Sequence, residues 1–247
     1  MKKIFLFLAF VAIGFTVWAQ DFESAGIYYN IIGDGTVEVT RDTNNPYSGM
    51  VNIPDTVTYN AVTYNVTAIG DSAFFECDGL AGVTIPNSIT TFGRLAFYNC
   101  SSLTTLNIPS SVTTIKYGAF GFCSGLQSIQ IPAGVTVIDT SLFYGCSSLT
   151  SIDIPNSVTS IGKGAFYKCS SLTSIIIPNG VPEIEKWTFG YCSSLASVTI
   201  PNSVTSIEDR AFYSCSGLTS IIIPDAVTVI DTSAFYKCSS LTSIIIP

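Results

Sequence analysis

One interval governs this chain: 23 residues. Ile-Pro recurs at Ile85-Pro86, Ile108-Pro109, Ile131-Pro132, Ile154-Pro155, Ile177-Pro178, Ile200-Pro201, Ile223-Pro224 and Ile246-Pro247. The same step carries Phe from Phe74 to Phe235, Cys from Cys77 to Cys238 and Leu from Leu80 to Leu241, without one exception in eight copies. The unit reads V-T-x-I-x-x-x-A-F-x-x-C-x-x-L-x-x-I-x-I-P-x-x. A unit this short cannot bury its own apolar column. Copies must stack and share one continuous core, which makes the chain a repeat solenoid.

Local chemistry divides each unit into three pieces. In the copy Leu172 to Pro178, Ile175 and Ile177 stand at period two, which reads as a short strand. Pro178 ends it by removing the next ladder donor. Val158 to Ile161 is a second short extended piece. Ala165, Phe166, Cys169 and Leu172 fall at steps of three, the spacing of one turn of 3₁₀- or α-helix. The expected architecture is therefore a mostly β solenoid with short 3₁₀ or α turns. Its strands would be parallel and in register, about 4.8 Å apart, giving roughly 34 Å of stacked sheet.

The ends differ from the middle. Lys2 and Lys3, the apolar run from Ile4 to Val17 and the small residues Val17 and Ala19 have the three parts of a secretory signal peptide spanning 1–19. Its apolar run is too short for a membrane span, which needs about 20 residues. Residues 20–65 lack the period. Ile27 to Thr40 and Val57 to Val66 both alternate apolar and polar residues, the first around Asp34-Gly35, a hairpin turn signal. Both are expected to be hairpins capping the first coil of the solenoid, residues 66–247. The chain stops at Pro247 in the middle of a unit. A truncated record or a fragment of a longer protein is expected.

Composition removes several function classes. Charged residues make up 11%, while 47% are hydrophobic, so disorder is excluded. Net charge is −7, and −9 once Lys2 and Lys3 are cleaved away, which argues against a binder of nucleic-acid phosphates. Histidine is absent, which removes the commonest general base and metal ligand. No D-x-D-x-D-G calcium loop, C-x-x-C zinc pair or glycine-rich phosphate loop occurs. The acids at Asp21-Glu23, Glu183-Glu185 and Glu208-Asp209 read as solvated loops, because a filled solenoid offers no cleft for a carboxylate pair. No catalytic residue, cofactor or metal is expected, and the chain does not read as an enzyme.

The run C-x-x-L-x-x-I-x-I-P-x-x-V-x-x-I-x-x-x-A-F resembles the BspA-like leucine-rich repeat family, and the copy from Ile154 to Ile175 is close to that family's consensus. The resemblance covers about Val66 to Pro247 and, more loosely, Tyr28 to Tyr64. It implies a right-handed leucine-rich-repeat-like stack, export, a secreted or bacterial cell-surface address, and adhesion to host or matrix proteins. It also implies that partners meet the strand surface.

Three columns carry the functional expectations. The eight cysteines align in one column on the apolar side of the turn. Side chains stacked in parallel do not offer disulfide geometry, so buried free thiols are expected, with disulfides the alternative. The residue after each core Phe should point outward. It is aromatic at Phe75, Tyr98, Tyr144, Tyr167, Tyr213 and Tyr236 and glycine at Gly121 and Gly190. This row is either a binding stripe or rings packed on each other. The strand column Asn107, Gln130, Asp153, Ile176, Thr199 and Ile222 varies most, and either encodes specificity or is unconstrained. A binding scaffold for a protein or matrix ligand is the leading reading. A glycan-binding accessory protein, with tyrosines stacking on sugar rings, is the alternative.

Overall fold

The computed structural model describes residues 20–42 and 44–245. The expected signal peptide and the last Ile-Pro pair, Ile246-Pro247, lie outside the described residues. Within them the chain forms twenty short strands and no helix.

The N-terminal segment folds as the alternation predicts. β1 (Phe22–Ser24), β2 (Ile27–Gly33) and β3 (Thr36–Thr40) form an antiparallel meander, with Tyr29 opposite Val39. Gly35 in its turn has φ +71°. β4 is Gly49–Asn52. β5 (Thr56–Tyr59) and β6 (Val62–Ile69) form the second hairpin. Its two turn residues, Asn60 and Ala61, both take positive φ, 49° and 62°, as a turn matching strand twist requires. β6 crosses the expected boundary at 65/66. It pairs in parallel with β3 on one side and with Thr91–Phe92 on the other. β4 pairs in parallel with β7 (Leu80–Thr84). Cap and solenoid therefore share both their ladders.

Two parallel ladders run through the repeats, each stepping 23 residues. On the first, Ser174 lies opposite Ser197, Ile175 opposite Val198 and Ile176 opposite Thr199; Ile222 likewise faces Ile245. On the second, Thr91 pairs Thr114, and Glu183, Ser206 and Val229 follow one another. Within the repeats after β7 the strands are only two or three residues long. On the first ladder the proline of each Ile-Pro supplies no donor and ends the pairing.

The turn departs from the expected helix. In each coil the residues two before and two after the core Phe sit in the left-handed region, for example Trp187 (φ 62°) and Tyr191 (φ 62°) around Phe189. Alternate N–H groups then point out of the coil. Ser72, Phe74 and Glu76 donate to the carbonyls of Arg94, Ala96 and Tyr98 in the next coil, at 2.7–2.8 Å. The intervening Ala73, Phe75 and Cys77 close turns onto Gly70, Ser72 and Phe74. The steps of three in the sequence thus come from turns bonded i to i−3, while every second donor is diverted to the neighbouring coil. A helix would keep all of them to itself. Non-glycine left-handed residues cost on the order of 1 kcal/mol each, and the diverted bonds offset that cost.

The core is a column of rings. Phe74 to Phe235 stack coil on coil with centroids 5.0–5.6 Å apart and planes within 14°. Phe166 is fully buried among Ala165, Cys169 and Leu172. All eight cysteines are free and buried. From Cys100 to Cys238 each thiol donates to the carbonyl of the Phe one coil earlier, at 3.0–3.1 Å. Cys77, with no such coil before it, turns to Phe75 O at 3.9 Å.

Candidate functional site

The solenoid presents two built surfaces, one made by the strands and one by the turns. On the strand face, Asn107, Gln130, Asp153, Ile176, Thr199 and Ile222 are all exposed, and they align because successive strands pair at equal repeat positions. Ile176 is 69% exposed and Ile222 65%, although isoleucine is among the residue types most often buried. Their neighbours Ile175, Ile177, Ile221 and Ile223 already fill the core. The second outward column, Thr105, Ser128, Ser151, Ser174, Ser197, Ser220 and Ser243, is exposed as well. Its first member, Gly82, is buried instead: a Cβ there would meet Met50 Sδ at 2.8 Å, so the cap lies over this end of the face. Asp153 supplies a carboxylate to a face whose strand segments, Leu80 to Ile245, contain no Lys or Arg.

On the turn face the aromatic column packs ring on ring, one of the two readings the sequence left open. Tyr98, Tyr144, Tyr167 and Tyr213 are half-buried and Tyr236 is 54% exposed. Tyr144 and Tyr167 stack at 4.9 Å with planes 19° apart, and Phe75 and Tyr98 stack at 5.2 Å. The rings are therefore packed and yet keep an exposed edge. The two glycines do not interrupt them. Phe122 packs against Tyr98 and Tyr144 across the coil of Gly121. Tyr191 and Trp187 bridge Tyr167 to Tyr213 across the coil of Gly190. A Cβ on Gly121 would lie 2.8 Å from Tyr98, and one on Gly190 2.8 Å from Trp187. Glycine is needed there because the neighbouring rings occupy its space. Reading the column by position alone misses Phe122, Trp187 and Tyr191; the signal was an aromatic residue beside each glycine.

Cations collect on this face. Every Lys and Arg of the repeats lies within four residues of a core Phe. Lys168 sits over Tyr167, Arg210 over Trp187 and Lys237 over Tyr236, at 5.3–5.6 Å. Asp209 joins two of them, 2.7 Å from Lys186 Nζ and 2.7 Å from Arg210. The bond from Lys186, aided by Arg210, holds the Asp209 carboxyl below its ordinary range.

Among the described residues no group of three or more His, Cys, Asp or Glu is placed to hold a metal ion. The thiols are bound to carbonyls, and burial pushes Cys192 up to about 12.

Comparison with known proteins fits this geometry. The family description "BspA type Leucine rich repeat region" matches residues 55–172 and 159–247, in six copies. No curated protein matches the chain. Among solved structures, a leucine-rich cell surface protein from Faecalibacterium prausnitzii is 36% identical, with a TM-score of 0.60 over 90% of this chain and 53% of its own. A leucine-rich repeat protein from Bacteroides ovatus is 33% identical, TM-score 0.66, covering 91% of this chain and 70% of that one. The leucine-rich repeat protein of T. pallidum is 25% identical, TM-score 0.68, covering 88% of each. The chain spans about half the length of the Faecalibacterium protein. With its 23-residue units, its two parallel ladders and these relatives, the chain belongs to the BspA-type leucine-rich repeat family of bacterial proteins.

Proposed function

We propose that this is an exported bacterial surface protein whose strand face docks an extracellular protein, with adhesion to host or matrix proteins as its role. The observation that supports it is the exposed, in-register column from Asn107 to Ile222, in which Ile176 and Ile222 hold apolar groups in solvent beyond what the core needs. Exposed apolar groups gathered on one face mark a contact surface. The Faecalibacterium relative is itself described as a cell surface protein, which supports the address. The face is repetitive, and its strand segments are free of Lys and Arg. An extended partner segment can lie along it, its apolar side chains meeting Ile176 and Ile222 and a basic one meeting Asp153. Nothing in the reading needs a catalytic group, a cofactor, a metal or a nucleic acid.

The test is an array of extracellular-matrix and serum proteins probed with the chain from Gln20 onward, beside an array of polysaccharides. Binding to at least one protein is expected. Changing Ile176 and Ile222 together to Thr, the residue Thr199 already provides, should leave the melting temperature within a few degrees and weaken that binding at least tenfold, about 1.4 kcal/mol. Capture by polysaccharide alone, or undiminished protein binding by the double variant, would contradict it.

A further inference from the structure

We infer that the turn face carries a second binding site, a groove at Gly164 shaped for one unit of an acidic polysaccharide, a sugar ring bearing a carboxylate. The groove holds about 290 Å³ and is lined by Tyr144, Tyr167 and Trp187 with Ser141, Lys163 and Lys186 around Gly164. That volume is at the low end for ligand sites, roughly 300–1,000 Å³, and suits a single ring.

The opening is not required by the fold. The column two residues before each core Phe is left-handed in every coil, yet it accepts Leu95, Trp187 and Arg210 at φ 54°, 62° and 57°. Gly164, at φ 59°, is therefore not there for its backbone alone. Nor is it there for packing, since a Cβ would find only Tyr167 Cβ at 3.7 Å and Ser141 Oγ at 3.8 Å. Contrast Gly121 and Gly190, whose space is filled by rings at 2.8 Å. Three other coils place a large side chain at this position, Leu95, Trp187 and Arg210. At the one other glycine of the column, Gly118, Leu95 fills the space at 2.7 Å. At Gly164 the space stays open against three aromatic residues.

The walls and rim specify the ligand. Trp187 stands at 81° to Tyr167, while Tyr144 and Tyr167 stack nearly parallel, so the groove joins ring surfaces of two orientations. Aromatic walls favour the apolar C–H face of a sugar ring over a strongly hydrated group. Two lysines and no carboxylate line the groove, on a chain whose acids outnumber its bases 17 to 10. Lys186 is held in place by Asp209 at 2.7 Å, which keeps it beside Trp187. Lys163 is exposed at the rim. A lysine paired with a carboxylate makes a charge-assisted hydrogen bond, and the aromatic walls add what a bare anion would not use. The groove opens to solvent, so it fits an internal unit of a chain as well as its end.

Trp187 is the sole tryptophan from Gln20 onward, so its fluorescence reports on the groove directly. Oligosaccharides of glucuronate and of sialic acid, their neutral counterparts, and a nucleoside monophosphate are titrated into the chain from Gln20 onward. Either acidic sugar is expected to change the Trp187 emission saturably, with affinity falling as salt rises. Lys163→Gln should weaken the acidic sugar at least tenfold and leave the weak neutral response unchanged. Gly164→Leu, which installs the residue found at Leu95 in the same repeat position, should fill the groove and abolish the titration while the chain still folds, its melting temperature lowered by a few degrees by the left-handed backbone at this position. Should that variant fold poorly, Lys163→Gln carries the test alone. No saturable response to either acidic sugar, equal affinity for neutral sugars, preference for the nucleotide, or full affinity in Lys163→Gln would overturn the inference. None of these outcomes bears on the strand face, whose residues are untouched by either substitution.

Discussion

Phe166→Ala is expected to lower the unfolding free energy by about 3–5 kcal/mol, the range for deleting a fully buried ring. The ring sits between Phe143 and Phe189, 5.5 and 5.6 Å away and nearly parallel to both. Its loss removes two stacking contacts and leaves a void that the neighbouring rings cannot close, because each is fixed by its own coil. The damage should be local, since coils touch only their nearest neighbours. Hydrogen exchange followed by mass spectrometry should show faster exchange in the coils of Phe143, Phe166 and Phe189, with the cap spanning β1 to β3 unchanged. Uniform loss of protection from β1 to Ile245 would show that stability is not carried coil by coil.

All eight thiols are expected to titrate as free cysteines after denaturation, and the fully buried ones from Cys100 to Cys215 to resist the same reagent in the native protein. Cys77 and Cys192 are each raised to about 12 from 9.0, chiefly by burial. Three pH units cut the thiolate near neutral pH about a thousandfold, and the thiolate is the reacting species. The sign for stability follows from the same shift. The native state keeps protons that the unfolded chain releases, so the contribution is fully present below the unfolded pKa and is lost as pH rises toward 12. Melting temperature should thus fall on alkalinisation above about pH 9. Replacing Cys192 by Ala should reduce that slope as well as remove the donor to Phe166 O. Four disulfides found by mass spectrometry would contradict both the thiol count and the parallel column.

Much of this structure is legible in the period itself. Because each apolar column repeats at 23, its members must stack, and Phe74 to Phe235, the cysteines and the strand isoleucines all do. Both hairpins follow from their alternation, and Gly35 marks the first. The turn was not legible as such. Steps of three fit both a helix and a run of i to i−3 turns, and what separates them is where every second N–H goes, a fact of the neighbouring coil. Left-handed positions were hidden too, since Leu95, Trp187 and Lys168 occupy them where glycine would have given the signal. At the surface, the strand column could be placed because a strand alternates with a fixed period. The groove at Gly164 could not. It depends on Ser141, Tyr167 and Trp187 from three successive coils, and on Gly164 being empty where Gly121 and Gly190 are filled.

The most direct test of the strand face as the protein-docking surface is a footprint taken on the complex. The chain from Gln20 onward would be labelled by hydroxyl radicals alone and with a matrix or serum protein captured on the array. Ile176 and Ile222 on the strand face and Tyr191 and Tyr236 on the turn face are all exposed, so each labels readily in the free chain. Protection of Ile176 and Ile222, with Tyr191 and Tyr236 labelled as before, is the result this account predicts. Protection of the two tyrosines while the isoleucines stay fully labelled would contradict it.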